Sequence, residues 1–262
     1  MSNNENRSID LSTMWDLTGR VAIVTGASSG FGDRFVRVLR AAGANVVAAA
    51  RRLDRLEALA AEVPGVLPVA CDVADDDACR RLVATTLEHF GQVDVLVNNA
   101  GLSDAPWKAE EEPPDVYRQV IEVNLNACFV LASLCAPNML ERGRGSVINI
   151  GSAHSFVGSS PNNQLAYVVS KHGVVGLTRE LALQWAKRGV RVNAIGPGYF
   201  ETELTQEMFA GESGMGWITR NTPMRRPGEL AELDGLLLFL ASDASSYVTG
   251  QTIAVDGGWT AR

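Results

Sequence analysis

The sequence predicts an α/β fold, a single-domain, doubly wound, seven-stranded parallel sheet with helices on both faces, and three observations predict it. Seven short runs rich in β-branched residues recur along the 262-residue chain, and most lack the polar alternation of a half-exposed strand. Helically spaced segments separate these runs almost throughout, so right-handed crossovers between parallel strands are the simplest connection. A content of 46% hydrophobic and 20% charged residues is that of an ordinary globular protein able to bury one large core.

VAIVT at 21–25 is the first predicted strand, and TGASSGFG leads from it into a helix over 30–42. NVVAAA at 45–50 precedes a helix over 53–62, and VLPVAC at 66–71 precedes one over 75–90. VDVLVN at 93–98 is followed by a long helical stretch, 114–141, and SVINI at 146–150 by a helix over 166–187. RVNAI at 191–195, a helix over 228–241 and TIAV at 252–255 complete the alternation. Residues 197–227 break it: about thirty residues follow a strand end without a clear strand of their own, and connections of that length are usually functional. The segment carries Phe209, Met215 and Trp217 among several glycines, which predicts a mobile substrate lid over about 199–227. Residues 1–14 read as a disordered polar tail ahead of one domain over 15–262.

A formal net charge of −7 argues against a phosphate-backbone binder, so no nucleic-acid partner is expected. No apolar stretch approaches the length of a membrane span, and the polar start lacks the apolar core of a secretion signal, so the expected location is the cytoplasm. Cys71, Cys79, Cys128 and Cys135 form no C-x-x-C, and three scattered histidines give no ligand spacing; buried structural thiols and no metal are expected.

The first strand turns into Gly26, Gly30 and Gly32, with the helix opening near the second glycine. Glycines at a strand-to-helix turn let the backbone approach a pyrophosphate, whose charge the helix N-terminus favours. In such a unit the second strand ends near the adenosine ribose, where an acidic side chain would accept from the 2′-hydroxyl. Ala50 occupies that place and Arg51 follows. A guanidinium holds a 2′-phosphate through paired, charge-assisted hydrogen bonds, so NADP(H) is expected over NAD(H). Arg52 either shares the phosphate or begins the next helix as a solvated residue.

Tyr167 and Lys171 lie four apart in AYVVSKHG, on one face of a helix, and Ser152 falls just past a strand end at the carboxyl edge of the sheet. Reducing a carbonyl by hydride transfer leaves an oxygen that needs a proton, and a free phenol with a pKa near 10 matches neutral pH poorly. A neighbouring ammonium and a positive nicotinamide ring would lower that value, letting Tyr167 act as acid in reduction and base in oxidation.

With the spacing G-x-x-x-G-x-G, these residues resemble the short-chain dehydrogenase/reductase superfamily, and the resemblance spans roughly residues 17 to 260. It implies a Rossmann-type fold and a catalytic set of Asn124, Ser152, Tyr167 and Lys171, with Asn126 as the nearby alternative to Asn124. It also implies cofactor contacts from Ser28, Ser29 and Phe31 in the glycine turn and from the pair Asp72 and Val73. Further contacts would come from Asn98, Ala100 and Gly101 of NNAG and from Pro197, Gly198 and Thr202 of PGYFET, besides Tyr167 and Lys171 themselves. Lys171 would reach the nicotinamide ribose and Ser152 the substrate oxygen.

Substrate-lining candidates are Ser152, His154, Gln164, Tyr199, Phe209, Met215 and Trp217. In general look the chain is nearest the family's 3-oxoacyl-carrier-protein reductases and its gluconate 5-dehydrogenase-like members. The acidic surface offers little to an acidic carrier protein, so a small keto or hydroxy substrate is preferred to a 3-oxoacyl thioester. A function of another class, NADP(H) sensing without turnover, conflicts with the presence of Tyr167 and Lys171 together. The resemblance implies a homotetramer, or a homodimer, packing helices 114–141 and 166–187 in pairs, and both carry apolar faces on more than one side.

Overall fold

A computed structural model of the chain describes residues 13–160 and 162–261. Of the tail expected over 1–14, residues 1–12 lie outside the described residues. The seven predicted strands all form: β1 (Val21–Thr25), β2 (Asn45–Ala50), β3 (Val66–Ala70), β4 (Val95–Asn98), β5 (Gly145–Ile150), β6 (Val190–Pro197) and β7 (Thr252–Val255). They pair in parallel throughout, in the order β3-β2-β1-β4-β5-β6-β7. The helices are α1 (Gly30–Ala41), α2 (Leu53–Glu62), α3 (Asp76–Phe90), α4 (Pro114–Ile121), α5 (Ala127–Glu141), α6 (Leu165–Trp185), α7 (Gln206–Phe209), α8 (Glu212–Asn221) and α9 (Asp234–Ala241).

The missing polar alternation has its cause in two core clusters, one on each face of the sheet. Ala22 and Val24 of β1 join Phe35 and Leu39 of α1 and Leu237 and Leu240 of α9 on one face. Ile23, between them in sequence, points the other way, toward Leu82 of α3 and Leu131, Cys135 and Met139 of α5. With helices on both sides, neither face of a central strand can carry a solvated side chain. The order reverses between β1 and β4, so the loops leaving their carboxyl ends diverge and open a crevice there, the place where doubly wound sheets hold ligands.

Two sequence expectations need correction. The helical run Pro114–Glu141 is, by length and composition, long and apolar enough to cross a membrane. Its apolar residues instead seat Leu131, Cys135 and Met139 on the sheet. The run is also not one regular helix: Glu122–Asn126 forms a π-helical turn joining α4 to α5. The segment 199–227 adds no strand to the sheet, as expected, and contains α7 and α8 with the fully buried Ile218.

Candidate active site

The glycine turn leaves β1 with Gly26 at φ 64°, a conformation L side chains rarely adopt, and a Cβ there would lie 2.9 Å from the Ala100 Cα. At Gly32 a Cβ would come within 2.2 Å of the Gly26 carbonyl oxygen, so only glycine lets α1 start this close to the turn. Thr25 ties the turn to the loop after β4, its Oγ1 accepting from the Asn99 and Ala100 amides at 3.0 Å each. The Asn99 side chain donates back to the Thr25 carbonyl at 2.8 Å. Asn98, expected at the cofactor, instead turns into the core and donates to the Cys128 carbonyl and to Asn149 Oδ1. Asn99, just past the end of β4, lines the cleft in its place. The repeated Asn of NNAG was the available signal.

The turn borders a cavity of about 540 Å³ that contains most of the predicted cofactor residues. Ser28, Ser29, Gly30 and Phe31 line it beside Arg51 and Arg52, with Asp72 and Val73 also in its wall. Ala100, Gly101, Pro197, Gly198 and Thr202 continue the wall toward Ser152, Tyr167 and Lys171. Gly198 has no room for a side chain, since a Cβ would lie 2.7 Å from the Asp256 Cα.

The two arginines differ in their surroundings. Arg51 is exposed beside the cavity and makes no hydrogen bond or ion pair to another described residue. Arg52, left undecided by the sequence, donates to the Ser28 hydroxyl at 2.9 Å, to the Ser29 hydroxyl at 3.1 Å and to the Glu203 carboxylate at 2.8 Å. Arg55 pairs with the same carboxylate.

At the other end, Ser152 follows β5, and α6 brings Tyr167 and Lys171 onto its cleft-facing side. Lys171 Nζ lies 5.6 Å from the Tyr167 ring centre and donates to the Ile150 carbonyl at 2.7 Å. Burial pushes this ammonium down to about 8. The Tyr167 phenol was expected below its ordinary value; in the structure burial outweighs the Ser152 hydroxyl and holds it above, with the Asp104 charge adding to the rise. Ser152 also caps the short turn Ala153–Ser155, its Oγ accepting from the His154 amide at 3.1 Å.

Asn124 sits in the π-helical turn, buried, and exchanges hydrogen bonds with both backbone groups of Leu102 at 2.9 Å while donating to Ser170 Oγ at 3.1 Å. A Cβ on Gly101 would lie 3.4 Å from Asn124 Oδ1 and 3.8 Å from Lys171 Nζ, so both groups converge on that glycine. Asn126, by contrast, is exposed and donates to Glu122 at 2.7 Å.

Of the substrate candidates, Ser152 lines the cavity, and His154, Tyr199 and Trp217 form one aromatic wall beside Tyr167. His154 is buried, not a surface loop residue, and its Nε2 lies 3.3 Å from the Tyr199 hydroxyl; desolvation lowers its pKa. Tyr199 packs edge-on against Trp217 and Trp259, with ring centres 5.5 and 4.8 Å away. Trp259 escaped the sequence reading because only tertiary packing carries the last turn back to this wall. Gln164 donates to Ser103 Oγ at 2.7 Å, ahead of α6, while Phe209 and Met215 are half-buried on α7 and α8. The four cysteines are free and buried, and no cluster of three metal-ligating side chains occurs among the described residues.

A glycine cradle with no space for Cβ atoms, a guanidinium-and-hydroxyl cluster already holding an anion, and a tyrosine–lysine pair at the far end of one cavity fit an extended dinucleotide. The class so defined is a dinucleotide-binding α/β oxidoreductase. The family profile described as enoyl-(acyl carrier protein) reductase matches residues 26–260. The chain is 38% identical over 251 residues to the 2-dehydro-3-deoxy-D-gluconate 5-dehydrogenase of Bacillus subtilis, covering 95% of this chain and 97% of that protein. It is 36% identical over 246 residues to the 3-oxoacyl-[acyl-carrier-protein] reductase of Thermotoga maritima, covering 92% and 98%. A gluconate 5-dehydrogenase from Burkholderia cenocepacia, solved in complex with NADP and tartrate, superposes with a TM-score of 0.91 at 33% identity, over 97% of this chain and 100% of that one. The chain belongs to the short-chain dehydrogenase/reductase family, and it is an oxidoreductase of CH–OH and C=O groups.

Proposed function

We propose that the protein interconverts a ketone and a secondary alcohol on a small keto or hydroxy substrate of the sugar-acid or polyol kind, with NADP(H) preferred over NAD(H). The observation that carries this reading is one cavity joining Ser28, Ser29, Arg51 and Arg52 at one end to Ser152, Tyr167 and Lys171 at the other. When bound, the nicotinamide supplies or accepts the hydride. Tyr167 gives the proton to the substrate oxygen in reduction and takes it in oxidation, a role that needs its phenol brought toward neutral pH. Lys171, held by Ile150, supplies the nearby positive charge that favours phenolate and reaches the ribose hydroxyls. The Ser152 hydroxyl orients the substrate oxygen. Asn124 fixes Leu102 and Ser170 and so holds the floor under Lys171; the assignment of the four residues as one catalytic set rests on this arrangement.

The His154–Tyr199 pair offers polar edges on an otherwise aromatic wall, which suits a hydroxylated substrate better than an acyl chain. Similarity to the Thermotoga maritima reductase supports a second reading, reduction of a 3-oxoacyl thioester. Exposed Phe129 of α5 and Leu183 of α6 support a homotetramer formed by pairing these helices. Steady-state assays with both nicotinamide cofactors against sugar acids, polyols, simple ketones and acyl thioesters test the function. Turnover of acyl-carrier thioesters alone would establish the second reading, and NADPH binding with no turnover of any substrate would make the protein a sensor. Arg51→Ala should raise KM for NADPH and leave that for NADH nearly unchanged; equal effects on both would refute the cofactor preference.

A further inference from the structure

Glu203 stands one residue beyond Thr202, on the segment that leaves β6 for α7, yet its carboxylate reaches across the mouth of the cavity. It accepts from Ser29 Oγ at 2.8 Å and from Arg52 at 2.8 and 3.4 Å, and it pairs with Arg55. These contacts hold it well below the usual carboxylate range, at about 2, chiefly through Arg52. The donors come from the glycine turn and from the start of α2, which together flank the end of β2 where the adenosine ribose is expected. Guanidiniums and hydroxyls converging on one oxyanion are also the donor set of a phosphate. A carboxylate and a 2′-phosphate therefore compete for the same groups.

We propose that Glu203 is an internal anion seated in the 2′-phosphate subsite, and that it sets how strongly the protein discriminates NADPH from NADH. The inference rests on the reading of the cavity as a nicotinamide-dinucleotide site. A 2′-phosphorylated ribose displaces Glu203 from Arg52 and Ser29 and faces its negative charge nearby. An unphosphorylated ribose leaves those pairs intact. Glu203 thus weakens binding of the phosphorylated dinucleotide selectively, and the same movement frees the segment beginning at Thr202 from the adenosine side of the cleft. The contact ties the β6–α7 segment to the α2 side, so release is coupled to which cofactor arrives.

Both ion pairs are nearly half exposed, so the competition is modest. Glu203→Gln should tighten NADPH binding about tenfold, the equivalent of two such pairs, with NADH binding unchanged or slightly weaker. The measurement is direct titration of the purified full-length protein with NADPH and with NADH, followed by nucleotide fluorescence or calorimetry and requiring no turnover. Adenosine 2′,5′-bisphosphate and 5′-AMP serve as paired probes of the adenosine end and should show the same selective gain. If the wild type binds NADPH and Glu203→Gln leaves the NADPH-to-NADH affinity ratio unchanged or shifts it toward NADH, the inference is overturned and the dinucleotide site stands. If the wild type binds neither dinucleotide, both fall.

Discussion

Replacing Lys171 with methionine isolates the cost of burying a cation beside the substrate. The Lys171 side chain is almost fully buried, and its ammonium is pushed down to about 8, whereas a lysine in an unfolded chain titrates near 10.4. Below pH 8 both states carry the proton, and the folded state bears the full desolvation cost. Between pH 8 and the unfolded value only the unfolded chain still holds the proton, so wild-type stability rises with pH across that window. At about 1.4 kcal/mol per pH unit, the gap amounts to about 3 kcal/mol. Methionine also removes the hydrogen bond to the Ile150 carbonyl, but that loss is nearly independent of pH. The informative quantity is therefore the change with pH in the stability difference, Lys171→Met minus wild type. Urea unfolding of nucleotide-free protein at matched concentration should show this difference falling by about 3 kcal/mol from pH 7 to pH 10.5. A difference flat to within about 1 kcal/mol would refute a buried cation at this position and, with it, the source of positive charge assigned to Tyr167.

Two further outcomes follow from neighbouring residues. Tyr167→Phe should lower kcat by roughly 10²–10⁴ while leaving the dissociation constant for NADPH unchanged, as stopped-time assays and titration would show; retained turnover would remove Tyr167 from proton transfer. Asn124→Ala strips hydrogen bonds from both Leu102 backbone groups and from Ser170, and should cost about 2–4 kcal/mol, or a drop in Tm of roughly 5–10 °C. Asn126→Ala, at an exposed site bonded only to Glu122, should change stability by no more than about 0.5 kcal/mol.

The strands were legible because burial on both faces imprints itself as continuous runs such as VAIVT and NVVAAA, with no partner needed to interpret them. Gly26, Gly30 and Gly32 were legible for a related reason: a turn that excludes Cβ atoms restricts residue type locally. The spacing of Tyr167 and Lys171 was visible because one helix carries both. Asn98 was misplaced because NNAG contains two asparagines, and the tertiary partners Cys128 and Asn149, not composition, hold the first of them in the core. The π-helical turn at Glu122–Asn126 left no mark in periodicity, since one widened turn shifts the hydrophobic pattern less than side-chain variation does.

By itself the sequence determined the alternating parallel architecture, the glycine turn after β1 and the placing of Tyr167 and Lys171 on one helix, because each is written in local spacing or in residue type. Tertiary structure decided the rest. Arg52 joined Ser28, while Arg51 stayed open, through the path of the backbone entering α2, and Glu203 reached that cluster from 151 positions away along the chain. The direction of the Tyr167 shift and the depth of the Lys171 shift depended on how many atoms exclude water around them, a sum over the whole packed domain that no single segment encodes. Trp259 reached the aromatic wall only because β7 pairs with β6 and returns the chain terminus to the carboxyl edge of the sheet.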